Sequence, residues 1–166
     1  LGEFLQAMGA KIVGVGTNRL EIEGVDELHA VDIETIPDRI EAGTFLVAGA
    51  ITRGSVTLKR VIPEHFSALA TKLESGGCVV SAGADSVTLS CPDEIKPVDV
   101  TATIYPGFPT DMQAQWIALM AIAKGTSVVT DTIYLDRFKH VPELIRLGAN
   151  IELKENAAIV KGMKQL

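Results

Sequence analysis

The sequence predicts an α/β (α+β) fold assembled from repeated βαβαββ units, each with a helix buried behind a small mixed sheet. Two observations carry this: a helix-stop motif that occurs three times, and a capped apolar helix that occurs twice, both at a spacing of about 70 residues. A third sets the scale. With 166 residues, 47% of them hydrophobic, the chain encloses a sizeable core as one domain or as two or three small packed units.

The stop motif is Leu5-Gln-Ala-Met-Gly9-Ala10-Lys-Ile12. It returns as Leu73-Glu-Ser-Gly-Gly77-Cys78-Val-Val80 and as Leu144-Ile-Arg-Leu-Gly148-Ala149-Asn-Ile151. Each copy reads as a helix end, a glycine cap and the start of a strand. Two short alternating segments follow each copy: Ile12-Val13 and Arg19 to Ile22, Val79-Val80 and Ser86 to Leu89, Ile151 to Leu153 and Ala158 to Val160. The stretches between them, Gly14 to Asn18, Gly83 to Asp85 and Lys154 to Asn156, predict hairpin turns. Gly14-Val15-Gly16 therefore opens a strand rather than a helix, and is no dinucleotide fingerprint.

The capped helix begins at Pro37-Asp38-Arg-Ile-Glu41 and runs through Thr44 to Ile51 to Gly54, followed by a strand from Ser55 to Leu58. Its counterpart begins at Pro109-Thr110-Asp111-Met-Gln113 and runs through Trp116 to Ile122 to Gly125, followed by a strand from Ser127 to Thr130. In both, a proline precedes a candidate N-cap, Asp38 or Thr110, and Glu41 or Gln113 stands three residues later, a capping-box pattern. Both helices are apolar nearly all the way round, which marks them as core helices spanning about 39–52 and 111–123. Preceding strands are predicted at Ala30 to Thr35 and Val98 to Ile104. The expected organisation is residues 1–35 as the trailing half of a preceding subdomain, then subdomains at 36–97 and 98–166. A chain that starts in mid-unit is expected to be a piece of a longer protein.

The formal net charge of −6, with no basic run longer than Lys59-Arg60, argues against nucleic-acid or anionic-membrane partners. No apolar stretch reaches the length of a membrane span, and a cytoplasmic location is expected. Cys78 and Cys91 lack Cys-x-x-Cys or Cys/His spacing, so both are expected to be ordinary small apolar residues. His29, His65 and His140 have no Ser or Cys beside them and are expected to be structural or surface residues.

Four strings extend the repeat: Gly16-Thr-Asn-Arg-Leu20, Pro37-Asp-Arg-Ile-Glu-Ala-Gly-Thr-Phe45, Phe108-Pro-Thr-Asp-Met-Gln-Ala-Gln115 and Arg137-Phe-Lys-His-Val-Pro-Glu-Leu144. Together they resemble the enolpyruvyl transferases, and among them the branch that acts on UDP-N-acetylglucosamine. The resemblance covers essentially the whole chain, and Phe108 to Gln115 is its most specific part. It implies the inside-out α/β barrel of that family and a transferase joining enolpyruvyl from phosphoenolpyruvate to the sugar's 3-hydroxyl, with release of phosphate. It also implies UDP-N-acetylglucosamine and phosphoenolpyruvate as small-molecule partners, a place in peptidoglycan synthesis, and no metal or organic cofactor.

The resemblance makes Asp111 the carboxylate that contacts the 3-hydroxyl and removes its proton. A carboxylate in the first turn of a buried helix would be kept ionised and oriented by the helix dipole. Residue statistics alone would leave Asp111 as a simple complement to that dipole. Ile133 matches a position whose backbone contacts the nucleotide sugar, and Arg137 is a further implied substrate contact. Leu135 and Asp136 depart from the family's usual glutamate and asparagine, which removes the hydrogen bond expected of the first position. Thr110 and Asp38 are weaker site candidates, and Asp38, Arg39 and Glu41 read equally well as a helix cap with solvent-facing charges. The proton donor to C3 and the family's lysine-asparagine pair have no match in this sequence, so the chain alone is expected to be inactive. The related enzyme acting on shikimate 3-phosphate shares the fold, and the repeat by itself is equally compatible with a non-catalytic module.

Overall fold

The computed structural model describes residues 1–166, and the chain divides into two compact units, Leu1–Ile36 and Pro37–Leu166. In the first, helix α1 (Gly2–Ala7) leads into the antiparallel hairpin of β1 (Lys11–Val13) and β2 (Glu21–Glu23). Gly14 and Gly16 adopt φ of 86° and 85°, conformations that L side chains avoid, so the glycine pair makes a tight turn. Thr17 seals it by donating its hydroxyl to the Gly14 and Arg19 carbonyls. Ile12 is this unit's one buried hydrophobic residue.

The second unit holds two sheets and six helical segments, two of them 3₁₀ turns. Helix α2 (Arg39–Ile51) precedes β3 (Ser55–Lys59), a 3₁₀ turn at Pro63–Phe66, α3 (Ser67–Ser75), β4 (Val79–Ala82) and β5 (Ser86–Ser90). Then β6 (Val100–Ala102), a 3₁₀ turn at Thr110–Met112, α4 (Gln113–Met120), β7 (Thr126–Asp131), α5 (Val141–Arg146), β8 (Asn150–Lys154) and β9 (Ala157–Lys161) follow. The sheets run β3-β5-β4 and β6-β7-β9-β8; every pairing is antiparallel except β6 with β7. The shared order of three strands is the physical form of the sequence repeat.

Helices α2 and α4 are the centre of one continuous hydrophobic cluster that reaches both sheets. Leu46, Val47 and Ala50 of α2 and Trp116, Ile117, Leu119 and Met120 of α4 are at most 1% exposed. Burial of this kind, at about 25 cal/mol per Å² of apolar surface, is the main source of stability for the unit. Gly43 lets α2 approach α3 and the 3₁₀ turn before α4: a Cβ there would lie 2.8 Å from Leu69 Cδ2 and 3.1 Å from Met112 Sδ. Gln115 donates its amide to Thr44 Oγ1 at 3.0 Å, so the seam between the two helices is also hydrogen-bonded.

The three stop motifs close identically. Ala10, Cys78 and Ala149 N–H donate to the Leu5, Leu73 and Leu144 carbonyls at 2.9, 3.1 and 3.0 Å. Gly9, Gly77 and Gly148 stand at φ of 101°, 100° and 107° and donate one turn back, which completes a Schellman cap in each copy.

Three expectations are corrected. Residues 30–35 form no strand; the alternating Val31-Asp-Ile-Glu-Thr35 lacks a paired neighbour, and four of these five residues are exposed. The strand predicted from Val98 to Ile104 contracts to β6, because Val98 is taken up by the helix, its carbonyl accepting from Trp116 Nε1 at 3.2 Å. Cys78 and Cys91 are joined by a disulfide, since each flanks the β4–β5 pair and the Val79–Ser90 register carries them to opposite places, with Cα atoms 4.2 Å apart. No helix is long and apolar enough to cross a membrane.

Candidate active site at the start of helix α4

The chain enters α4 differently from α2, although the two begin with the same pattern. At α2 the Asp38 carboxylate accepts from the Ile40 and Glu41 N–H groups, a proper N-cap. At α4 Thr110 does not cap: Pro109 holds the extended cap position, and Thr110, Asp111 and Met112 form a 3₁₀ turn before the helix starts. The expected capping box with Gln113 is therefore absent, and Gln113 is only 1% exposed. The cause is a competing acceptor. Thr110 donates its hydroxyl to Asp131 Oδ2 at 2.6 Å, a carboxylate at the end of β7 that is 0% exposed. The first repeat has no counterpart, since β3 ends at Lys59.

Asp111 consequently lies in the 3₁₀ turn, two residues before α4, rather than inside its first α-turn. Its side chain is half exposed and pairs with Arg137, Nη1 to Oδ1 at 2.8 Å. The same Nη1 donates to Thr110 Oγ1 at 3.2 Å, and the guanidinium lies 5.4 Å from the centre of the Tyr134 ring. Ile133 follows β7 by two residues; its N–H and that of Tyr134 donate to Asp131 Oδ1 at 2.9 and 3.0 Å.

The structure thus brings together Thr110, Asp111, Ile133 and Arg137. Asp38 remains a cap in the first repeat, and Arg39 stacks over the Tyr105 ring at 5.1 Å. Sequence reasoning missed Asp131; the signal available was an acid on the inward-facing alternation of a strand, where a buried carboxylate needs partners. It also set His140 aside. An open cleft of about 380 Å³ is lined by Asp111, Tyr134, Asp136, Arg137, Lys139 and His140. His140 Nε2 is buried without a hydrogen-bond partner, and burial, together with the Arg137 charge, lowers the imidazole pKa below its usual 6.5. The cleft therefore carries a carboxylate base candidate beside the held Arg137 guanidinium and Lys139, an arrangement suited to deprotonating a hydroxyl on an anionic substrate.

The family described as EPSP synthase (3-phosphoshikimate 1-carboxyvinyltransferase) matches residues 1–166. The UDP-N-acetylglucosamine 1-carboxyvinyltransferase of Chlorobaculum parvum is 55% identical over all of this chain and 39% of its own length. That of Myxococcus xanthus is 50% identical over all of this chain and 40% of its own length. This chain thus spans about two fifths of these curated relatives. Among solved structures, the enolpyruvyl transferase NikO from Streptomyces tendae superposes with a TM-score of 0.77 at 27% identity, covering 95% of this chain and 38% of that one. EPSP synthase from Acinetobacter baumannii shares the fold, with a TM-score of 0.68 at 21% identity over 98% of this chain and 39% of its own. With a match from the first residue to the last, and with the buried helices and paired sheets to go with it, the chain belongs to the EPSP synthase family of enolpyruvyl transferases.

Proposed function

We propose that this chain forms the acceptor-binding and proton-abstracting part of an enzyme that transfers enolpyruvyl from phosphoenolpyruvate to the 3-hydroxyl of UDP-N-acetylglucosamine. The observation that carries the reading is Asp111 at the rim of the cleft, inside the Phe108 to Gln115 string, with Arg137 fixed on one of its oxygens. Arg137 occupies Oδ1, and Oδ2 is the oxygen available to the sugar hydroxyl. As Asp111 takes the proton, the sugar oxygen bonds to C2 of phosphoenolpyruvate and C3 gains a proton. Loss of phosphate from C2 and of a proton from C3 of the resulting tetrahedral intermediate then forms the enol ether. Ile133 contributes backbone contacts to the nucleotide sugar, and Arg137 offsets negative charge.

The donor to C3 and the cations that hold phosphate and carboxylate belong to other parts of the enzyme, and the isolated chain is inactive. The division into a preceding half-unit at 1–35 and subdomains at 36–97 and 98–166 belongs to the same proposal, as do a cytoplasmic location and a role in cell-wall synthesis.

The test is Asp111→Asn in the complete enzyme. Phosphate release with UDP-N-acetylglucosamine should fall by about 10²–10⁴-fold, the usual contribution of a positioned base. The melting temperature should barely move, because a half-exposed ion pair contributes only about 0–1 kcal/mol. Turnover within a few-fold of wild type removes Asp111 from the mechanism. Faster turnover with shikimate 3-phosphate than with the nucleotide sugar moves the substrate assignment to the sister reaction.

A further inference from the structure

We propose that Asp131 is a positioning residue that sets the working geometry of the Asp111–Arg137 pair through the Thr110 hydroxyl; this deepens the assignment of Asp111 as the base and rests on it. The half-exposed Asp111–Arg137 pair would not hold itself. Exposed ion pairs lose side-chain freedom for little gain, so neither group would keep a fixed place unaided. A buried third party is what the structure supplies. Asp131, 0% exposed, receives the Thr110 hydroxyl on Oδ2 at 2.6 Å and the Ile133 and Tyr134 N–H groups on Oδ1 at 2.9 and 3.0 Å.

The donor directions leave no alternative. A carboxylate accepts only, a guanidinium donates only, and a hydroxyl has one proton. With that proton committed to Asp131, Thr110 Oγ1 must accept, and Arg137 Nη1 donates to it at 3.2 Å while also holding Asp111 Oδ1 at 2.8 Å. The order therefore runs Arg137 to Thr110 to Asp131, and it stations the guanidinium where it also pins Asp111. The other Asp131 oxygen fixes the 133–134 backbone, so one buried side chain aligns both the base and the segment expected to meet the nucleotide sugar. Asp131 is itself held: its N–H donates to the Asn156 carbonyl at 2.9 Å and its carbonyl accepts from Asn156 Nδ2 at 3.1 Å.

Asp131→Asn tests the polarity rather than the packing. If the amide oxygen stays on the two backbone N–H groups, its NH₂ faces Thr110, and the hydroxyl loses the acceptor that fixes its proton and with it the direction of its lone pairs. Thr110→Val deletes the hydroxyl at nearly constant volume, and Thr110→Ser keeps it. In the 166-residue chain, guanidinium ¹⁵N–¹H NMR should show slow Cζ–N rotation for Arg137 in wild type and Thr110→Ser, and averaged signals in Thr110→Val and Asp131→Asn. In the complete enzyme, Asp131→Asn and Thr110→Val should each lower kcat by roughly 10²-fold, the scale of a misplaced reacting group, and more than they change KM. Thr110→Ser should recover the rate lost in Thr110→Val. The double variant Asp131→Asn with Thr110→Val should be no slower than the slower single one, because no hydroxyl is left for residue 131 to orient.

Identical Arg137 signals in all four chains, or losses that multiply in the double variant, overturn the proposal. Should Asp131→Asn fail to fold, the Thr110→Val and Thr110→Ser pair decides alone. The expected NMR pattern beside an Asp111→Asn enzyme of undiminished turnover would leave the relay standing and remove the base assignment.

Discussion

Thr110 and Asp38 hold corresponding places in the two repeats, and a carboxylate elsewhere makes them behave differently. Asp38 has no competing partner and caps its helix; Thr110 meets Asp131 and gives up the cap. Nothing in the local pattern separates the two, because the deciding contact spans 21 residues of sequence. Asp111 was legible from its string, but its placement outside the first α-turn follows from that same distant contact. His140 was not legible as a cleft residue, since a histidine beside a helix start has no spacing signal. Its environment carries a pH consequence. Burial first, and the Arg137 charge second, hold its folded-state pKa below the unfolded value near 6.5. The unfolded chain therefore binds the extra proton more readily, and stability is full above about pH 6.5 and declines as pH falls toward the folded pKa. Thermal melts between about pH 7.5 and 5 should show a shallower decline for His140→Gln than for wild type. Parallel curves would mean that His140 does not contribute to the acid limb.

Helices and turns were the most legible elements, because their signals are local. The three glycine stops, the three hairpins and α2 stand where glycine spacing and apolar periodicity put them, while α4 (Gln113–Met120) is shorter at both ends than the helix expected over 111–123. The strand at 30–35 failed because alternation marks only a capacity to pair, and pairing requires an edge that the sequence does not identify. Glycines at two kinds of position should respond differently to substitution. At Gly77 a Cβ would meet only Pro92 Cγ at 3.6 Å, so Gly77→Ala suffers from the positive φ alone and should cost about 1–2 kcal/mol. Gly43 has ordinary helical geometry but faces Leu69 and Met112 at 2.8 and 3.1 Å, so Gly43→Ala should cost about 1–3 kcal/mol by overpacking the helix seam. Adding Leu69→Ala should recover part of the Gly43→Ala loss and none of the Gly77→Ala loss, as read by urea denaturation. Equal responses to Leu69→Ala would show that the seam is not as tightly packed as these distances require.

For the whole molecule, residues 37–166 are organised around one core that serves both sheets, which is why a repeat so plain in sequence gives one compact unit there. The cross-strand bridge between Cys78 and Cys91 adds to that core at a place where the sequence offered no metal or disulfide spacing. It closes a loop with a sequence separation of 13, for which chain entropy gives about 3 kcal/mol. Reduction by dithiothreitol should lower the unfolding free energy by about that amount, and Cys78→Ala with Cys91→Ala should abolish the response. An unchanged denaturation midpoint on reduction would show that the two sulfurs are not bonded in solution. A last consequence lies in where Asp131 sits, on the inward side of β7 as its final residue. Strand side chains alternate, so a slip of one residue against β9 would send this carboxylate to the outer face and offer a threonine in its stead. A chain that pairs its strands wrongly then loses Thr110, Arg137 and the 133–134 backbone together. Correct strand register is therefore a condition for this cluster of side chains to exist at all.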